Sequence, residues 1–555
     1  VADQFYTWVN GSTRQTVAVA DYMKLQTVGA ASQFGDLGRR WIWLGQTLEN
    51  ISLTTASQTL RGGSGNDIIL GALGSDLINT GGTAQDDDTI MADLGRLAVD
   101  FTYRSALWAE STSASGGNDT IYLGSSNNLV IAGAGSDQVV GSDAQGNMNI
   151  VLADSGRIDF KTDTVNGHLT FKTSSSSNHM LDSITTTVTE VQGGNDIVTL
   201  GSGSGIVIGG AGNDLLSFSA LSATAANVRW IAGDHATLST DSLGSIVALT
   251  SSDTQVSTGG DDVIGVGSAN DSALRYLGSN YVIGGVANDR ILISASRSSA
   301  GVMSYGSAYS QDVILGDNGS ITRPAGSVYL AQVLSTLVTA GLGGTDEIYT
   351  ANGDKVIVGG QGGDTITVAA GATSASLSAS NRLIAGDNAQ FNFDARGRYT
   401  LATTLDTLAG SGGADTVRIG TSSTSGNIGT NVVFGGMGAD QLMVASTMLS
   451  GTATLGSAQS QDILFGDNGE ITRTDSTSTA PNYLSHIRTI QNATGDTDLI
   501  LAANGEKVIM GGLSDDVIQA GNGDNLIMGD NARIEYASVD FNGTPSTLLN
   551  QSVLW

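Results

Sequence analysis

The chain has 555 residues, 53 acidic against 24 basic, giving a formal net charge of −29 at pH 7. It holds 76 Gly without a collagen period, only 3 Pro, and no Cys, which excludes a disulfide scaffold, a thiolate metal site and a Cys nucleophile. Such acidity argues against nucleic acid or anionic membrane as a partner and suits cations.

Residues 1–60 stand apart from the rest. The stretch from Gln15 to Phe34 reads as helical, and Trp8, Trp41 and Trp43 supply half of the chain's Trp. A terminal cap over the first coil is expected here, with a docking surface as the alternative. No run of 18 apolar residues spans a bilayer, and Val1 opens the chain without a basic-then-apolar signal. A segment of a longer protein is the expectation.

From residue 61 onward, short Gly-Asp motifs recur. GGSGNDIIL at Gly62 and GALGSDLIN at Gly71 stand in tandem, followed by GGxD motifs at Gly116, Gly193, Gly259, Gly343 and Gly412. Asp119 and Asp137, Asp196 and Asp214, Asp346 and Asp364, and Asp498 and Asp516 are each 18 residues apart. Asp67 and Asp76 are nine apart, and Asp262, Asp271, Asn280 and Asp289 fall on consecutive steps of nine. Asp415 and Asp440, 25 apart, mark an irregular insertion.

A second landmark, an apolar run ending in a small residue and Asp, recurs at Asp36, Asp93, Asp154, Asp234, Asp317, Asp387, Asp467 and Asp530. QDVILGDNGSITR at Gln311 returns 150 residues later as QDILFGDNGEITR at Gln461, and NGDKVIVGG at Asn352 returns as NGEKVIMGG at Asn504. Residues 61–555 are therefore read as one continuous array of about seven units with hairpin insertions.

Each nine-residue step pairs a glycine turn with a short strand, whose apolar positions, such as Ile69, Leu216, Ile366 and Leu442, point inward. Two steps close one circuit, so residue i + 18 lies above residue i at the ~4.8 Å strand spacing. That geometry stacks carboxylates, and a column of like charges needs a cation between its members. Ca²⁺, with 6–8 oxygen ligands, suits the site better than Mg²⁺, which keeps its waters. Zn²⁺ would find no Cys and only 4 His.

These motifs resemble the hemolysin-type (RTX) calcium-binding repeat, whose pattern G-G-x-G-x-D-x-U-x is matched in full at Gly62, Gly209, Gly359 and Gly435. The resemblance implies an all-β fold, a parallel β-roll or β-solenoid, with Ca²⁺ held between turns by the motif Asp and turn carbonyls. Carried over by position, it marks Asp67, Asp76, Asp119, Asp137, Asp196, Asp214, Asp262, Asp271, Asp289, Asp346, Asp364, Asp415, Asp440, Asp498 and Asp516 as ligands. Two departures stand out: Leu513-Ser514 follows Gly512, and Ala287 replaces a Gly before Asp289.

The landmark, as in ILGDNGSI at Ile314, reads as a strand–turn–strand corner, with metal ligation as the alternative. Behind it, hairpins are expected around Asn166-Gly167 and Arg396-Gly397, adding a sheet along the flank or touching a neighbouring molecule. His235 fills the slot of Asn318 and Asn388, a turn position.

No H-E-x-x-H or G-x-S-x-G motif occurs, and the basic residues are scattered. The expected role is non-enzymatic: an extracellular, Ca²⁺-stabilised structural segment of a large bacterial adhesin, surface or filament protein. A surface-layer or sheath subunit is one alternative, and a polysaccharide lyase or epimerase on a β-helix is another. Expected partners are calcium ions, neighbouring repeats or further copies, and a cell-surface polysaccharide. Nucleic acid and membrane insertion are not expected.

Overall fold

Two kinds of strand alternate along the chain. Leu215–Phe218 and Thr365–Val368 bury every second residue, whereas Met148–Leu152 and Lys355–Gly360 are buried along almost their whole length. The first pattern belongs to a sheet with one solvated face, the second to a sheet covered on both sides.

The computed structural model describes residues 5–10, 13–18, 47–50, 55–81, 87–100, 105–125, 127–142, 148–162, 179–187, 193–251, 253, 255, 258–272, 275–336, 342–370, 380–407, 412–473, 484–490 and 495–536. Three 14-stranded sheets form a three-layer all-β stack. The outer sheet is parallel and runs from Thr59–Arg61 to Val517–Ala520. The central sheet, also parallel, runs from Ile68–Leu70 to Asn525–Asp530. An antiparallel sheet of hairpins covers the far side of the central one, from Thr47–Glu49 to Arg533–Glu535. This is a parallel β-roll with a third layer. Among the described residues there is no helix, and none is long and apolar enough to cross a membrane.

One circuit comprises an outer strand, a turn, a central strand and a second turn. The 18-residue spacing appears directly in the register: Thr120 lies beside Gln138, Ile197 beside Leu215, Glu347 beside Thr365, and Leu499 beside Val517. Every second circuit is longer, because the chain leaves the central sheet to build a hairpin of the antiparallel sheet before returning. Leu215 beside Val263 and Thr365 beside Thr416 are two such steps. Fourteen strands at ~4.8 Å make a stack on the order of 60 Å long.

Two apolar cores run the length of the stack. Ile78, Ile121, Val139, Val198 and Leu216 of the outer sheet pack on Val130, Val151, Val207 and Ile231 of the central one. On the other side, Ile150, Leu152, Ile206 and Ile283 meet Leu97, Ile158, Leu238 and Phe391 of the hairpins. Fully burying each such side chain is worth about 1.5–3 kcal/mol, and stacking is what makes the burial possible for strands this short.

Some expectations shift. Gln15–Ala18, read as helical, belongs to the strand Thr13–Ala18, which pairs with Phe5–Asn10. The rest of that reading, with Trp41, Trp43 and Asp36, lies outside the described residues. Thr47–Glu49 already belongs to the antiparallel sheet and Thr59–Arg61 to the outer sheet. The strand after Arg157 pairs not across Asn166-Gly167 but with His179–Thr186, the Asn-Gly pair lying outside the described residues. The hairpin around Arg396-Gly397 forms as read, with Ala389–Phe393 against Tyr399–Thr404 and Gly397 at φ 74°.

Candidate metal centre

The two turns of each circuit define two edges. At one edge the chain passes from a central strand through the glycine motif to an outer strand, and the motif Asp immediately precedes that outer strand. Parallel register places these aspartates above one another. Thirteen of the fifteen expected ligands stand in this column: Asp76, Asp119, Asp137, Asp196, Asp214, Asp262, Asp289, Asp346, Asp364, Asp415, Asp440, Asp498 and Asp516.

Hydrogen bonds link the column from circuit to circuit. The amide of Asp76 donates to Oδ1 of Asp119 at 2.6 Å, that of Asp119 to Asp137 at 2.7 Å, and that of Asp137 to Asp196 at 2.6 Å. The same bond recurs through Asp214, Asp262, Asp289 and Asp346. It continues through Asp364, Asp415, Asp440 and Asp498 to Asp516 without a break. Insertions do not disturb it: Asp415 and Asp440, 25 residues apart, are adjacent rungs at 2.8 Å.

Oδ2 behaves differently. In every rung from Asp119 to Asp516 this oxygen is buried and accepts no hydrogen bond. In the nine rungs from Asp214 to Asp516 it faces a glycine and a glycine carbonyl of an adjoining circuit. A methyl group built on Gly209 would lie 2.2 Å from Asp214 Oδ2 and 2.2 Å from the Gly233 carbonyl oxygen. At Gly359 the corresponding distances are 2.3 Å to Asp364 Oδ2 and 2.2 Å to the Gly386 oxygen. Only glycine leaves this space open, and it is walled by a carboxylate oxygen and a carbonyl oxygen. That donor set fits a hard cation such as Ca²⁺. Among the described residues no three His, Asp or Glu side chains converge on one point.

The electrostatics agree. Burial pushes Asp119 and Asp498 up to about 9, Asp440 up to about 8 and Asp137 up to about 7. Asp364 lies well above the carboxylate range, first through burial and then through the charges of Asp346 and Asp415. A column without a cation therefore retains protons, while a divalent ion favours the ionised form.

Asp67 and Asp271 do not join the column. Nine residues is half a circuit, so both lie towards the opposite edge. The Asp67 amide donates to Asp88 there, and Asp271 pairs with Arg275 at 3.3 Å and accepts from the Ser268 amide. Asp262 and Asp289 are neighbouring rungs 27 residues apart, so Asp271 sits in an enlarged turn between them.

The second landmark is more than a corner. Asp234, at the end of a central strand, accepts from Gly260 on Oδ1 at 3.0 Å and from Val286 on Oδ2 at 2.6 Å. Asp317 clasps Gly344 and Gln361 in the same way, and Asp93 clasps Gly117 and Ala134. Asp93, Asp234 and Asp317 thus each tie the turns of the next two circuits to the strand that launches a hairpin. Sequence reasoning missed this role, although the recurrence of the landmark once per two circuits was its signal. His235 is buried beside Asp234, and its amide donates to Asp253, as the Asn388 amide does to Asp406.

The model of the RTX calcium-binding nonapeptide repeat (4 copies) matches residues 54–84, 61–96, 113–143, 192–218, 425–443 and 508–532. No curated protein matches the chain at a significant level. Between the fourth and fifth matched segments the ladder nevertheless continues through Asp262, Asp289, Asp346, Asp364 and Asp415. The chain thus carries RTX-type nonapeptide repeats, and its circuits wind a parallel β-roll.

Proposed function

We propose that this chain is a non-enzymatic structural module, a Ca²⁺-stabilised stretch of a large bacterial adhesin, surface or filament protein that works outside the cell. Residues 61–555 act as its continuous array and residues 1–60 as its cap or docking segment, whose Thr47–Glu49 and Thr59–Arg61 already join the sheets of the roll. The observation that carries the reading is the unbroken aspartate ladder with its orphaned inward oxygens, which needs cations along its whole length to be fully charged. Calcium is held between the Oδ2 atoms of the nine ladder aspartates from Asp214 to Asp516 and the glycine carbonyls of adjoining circuits. Folding then waits for calcium-rich surroundings, which suits a chain exported before it folds.

Circular dichroism of the full chain in excess chelator tests this. Above the folded-state carboxylate values, near pH 9, strand signal is expected to be weak there and to return cooperatively as calcium is added. A spectrum indifferent to calcium contradicts the proposal.

One observation favours a second reading, a surface-layer or sheath subunit that tiles laterally. Leu77, Ile197 and Leu215 share one column of the outer face and are exposed. In calcium a lattice subunit forms sheets visible by electron microscopy, whereas an adhesin stalk stays a dispersed rod.

A further inference from the structure

The opposite edge carries a different column. Register in the central sheet aligns Arg229, Asn280, Asp312 and Lys355, and then repeats the order with Arg382, Asn431, Asp462 and Lys507. Lys355 lies nine residues after Asp346 and nine before Asp364, and Lys507 stands likewise between Asp498 and Asp516. Each lysine therefore occupies the lattice step where the nonapeptide pattern has its aspartate.

The ammonium groups sit in oxygen cages. Lys355 Nζ is 2.7 Å from the Ser310 carbonyl oxygen, 3.2 Å from that of Asn352, 3.3 Å from Ser310 Oγ and 2.9 Å from Asp312 Oδ2. Lys507 Nζ repeats this with Ser460 O at 3.0 Å, Asn504 O at 2.8 Å, Ser460 Oγ at 3.3 Å and Asp462 Oδ2 at 3.0 Å. The side chains of both ion pairs are completely buried. Asn280 and Asn431 donate to the remaining carboxylate oxygens, each at 2.7 Å. Two carbonyls, a hydroxyl and a carboxylate form the kind of donor set that a hard cation takes. A buried carboxylate left without its cation is strongly destabilising.

We infer that Lys355 and Lys507 are tethered cations filling two metal-type cages, so that this edge of the roll closes without calcium while the aspartate edge depends on it. The inference concerns the edge that the calcium reading above does not use, and it can fail or hold separately.

The test replaces the tethered cation with a free one. In the full chain, Lys355→Ala vacates a cage that keeps the Asp312 carboxylate and both carbonyls. Its thermal midpoint is expected to rise more on addition of millimolar CaCl₂ than the wild-type midpoint does. The doubly neutral variant Asp312→Asn/Lys355→Met is expected to show only the wild-type rise. A Lys355→Ala chain that gains no more from calcium than wild type overturns the inference, as does one that stays unfolded in calcium. A wild-type crystal grown in calcium gives a variant-free check. No anomalous peak is expected between Ser310, Asp312 and Asn352, and a peak there also overturns the inference.

Discussion

Asp364 uses its two oxygens differently: Oδ1 accepts the Asp346 amide at 2.8 Å, while Oδ2 faces the Gly386 carbonyl without a hydrogen bond. The two roles separate by mutation. Asp364→Asn keeps an acceptor for the amide and removes the charge. It should leave stability in chelator intact while losing the calcium increment of about 0.4–1.4 kcal/mol expected for one extracellular-type site at millimolar Ca²⁺. Asp364→Ala also orphans the amide and should cost about 1–3 kcal/mol more, in chelator and calcium alike. Thermal melts of both variants in both media, run at pH 5 where the metal-free column keeps its protons, distinguish these contributions. Asp317→Ala releases the Gly344 and Gln361 amides instead, and a calcium-independent loss of about 2–4 kcal/mol is expected. Most ladder residues were legible in the sequence because spacing of 18 is one circuit. Asp67 and Asp271 stand towards the opposite edge because a step of nine is half a circuit.

At the scale of turns and strands, the third glycine of the motif is where the sequence departs from its pattern, and the backbone records the departure. Gly212, Gly362 and Gly438 take φ of 117°, 111° and 135°, and the residues in their place, Ala287 and Ser514, are held at 74° and 88°. Left-handed backbone costs a non-glycine residue about 1–2 kcal/mol. Ala287→Gly and Ser514→Gly should therefore each stabilise the roll by about 1 kcal/mol, visible as a raised urea midpoint with an unchanged slope. At Gly359 the reverse holds: a methyl group meets the Asp364 carboxylate and the Gly386 carbonyl, so Gly359→Ala should lower the midpoint and weaken the calcium response together.

The glycine turns and the flanking hairpin sheet could be read from residue types alone. The three-layer order was present less openly, in the contrast between continuous apolar runs such as Lys355–Gly360 and alternating ones such as Thr365–Val368. Periodicity within one strand of four or five residues says which face is apolar, but not which sheet will cover it.

For the whole molecule, the proposed calcium competes with protons for one column of carboxylates. The folded-state values of Asp119, Asp498, Asp440 and Asp137 are raised to between about 7 and about 9, well above the unfolded carboxylate range. The metal-free fold therefore binds more protons than the unfolded chain. Its stability is greatest below the unfolded carboxylate pKa of about 4 and is lost as pH rises through the folded values. In chelator the thermal midpoint should fall between pH 5 and pH 8. Excess calcium should flatten or reverse that slope, and adding calcium near neutrality should acidify an unbuffered solution.

The most direct test of the aspartate ladder is an anomalous difference map from crystals grown in millimolar calcium. The expected result is a row of peaks along the Asp214-to-Asp516 edge, each between an Oδ2 and a glycine carbonyl of the adjoining circuit. An edge without peaks, with its Oδ2 atoms hydrogen-bonded to water or protein instead, contradicts the account.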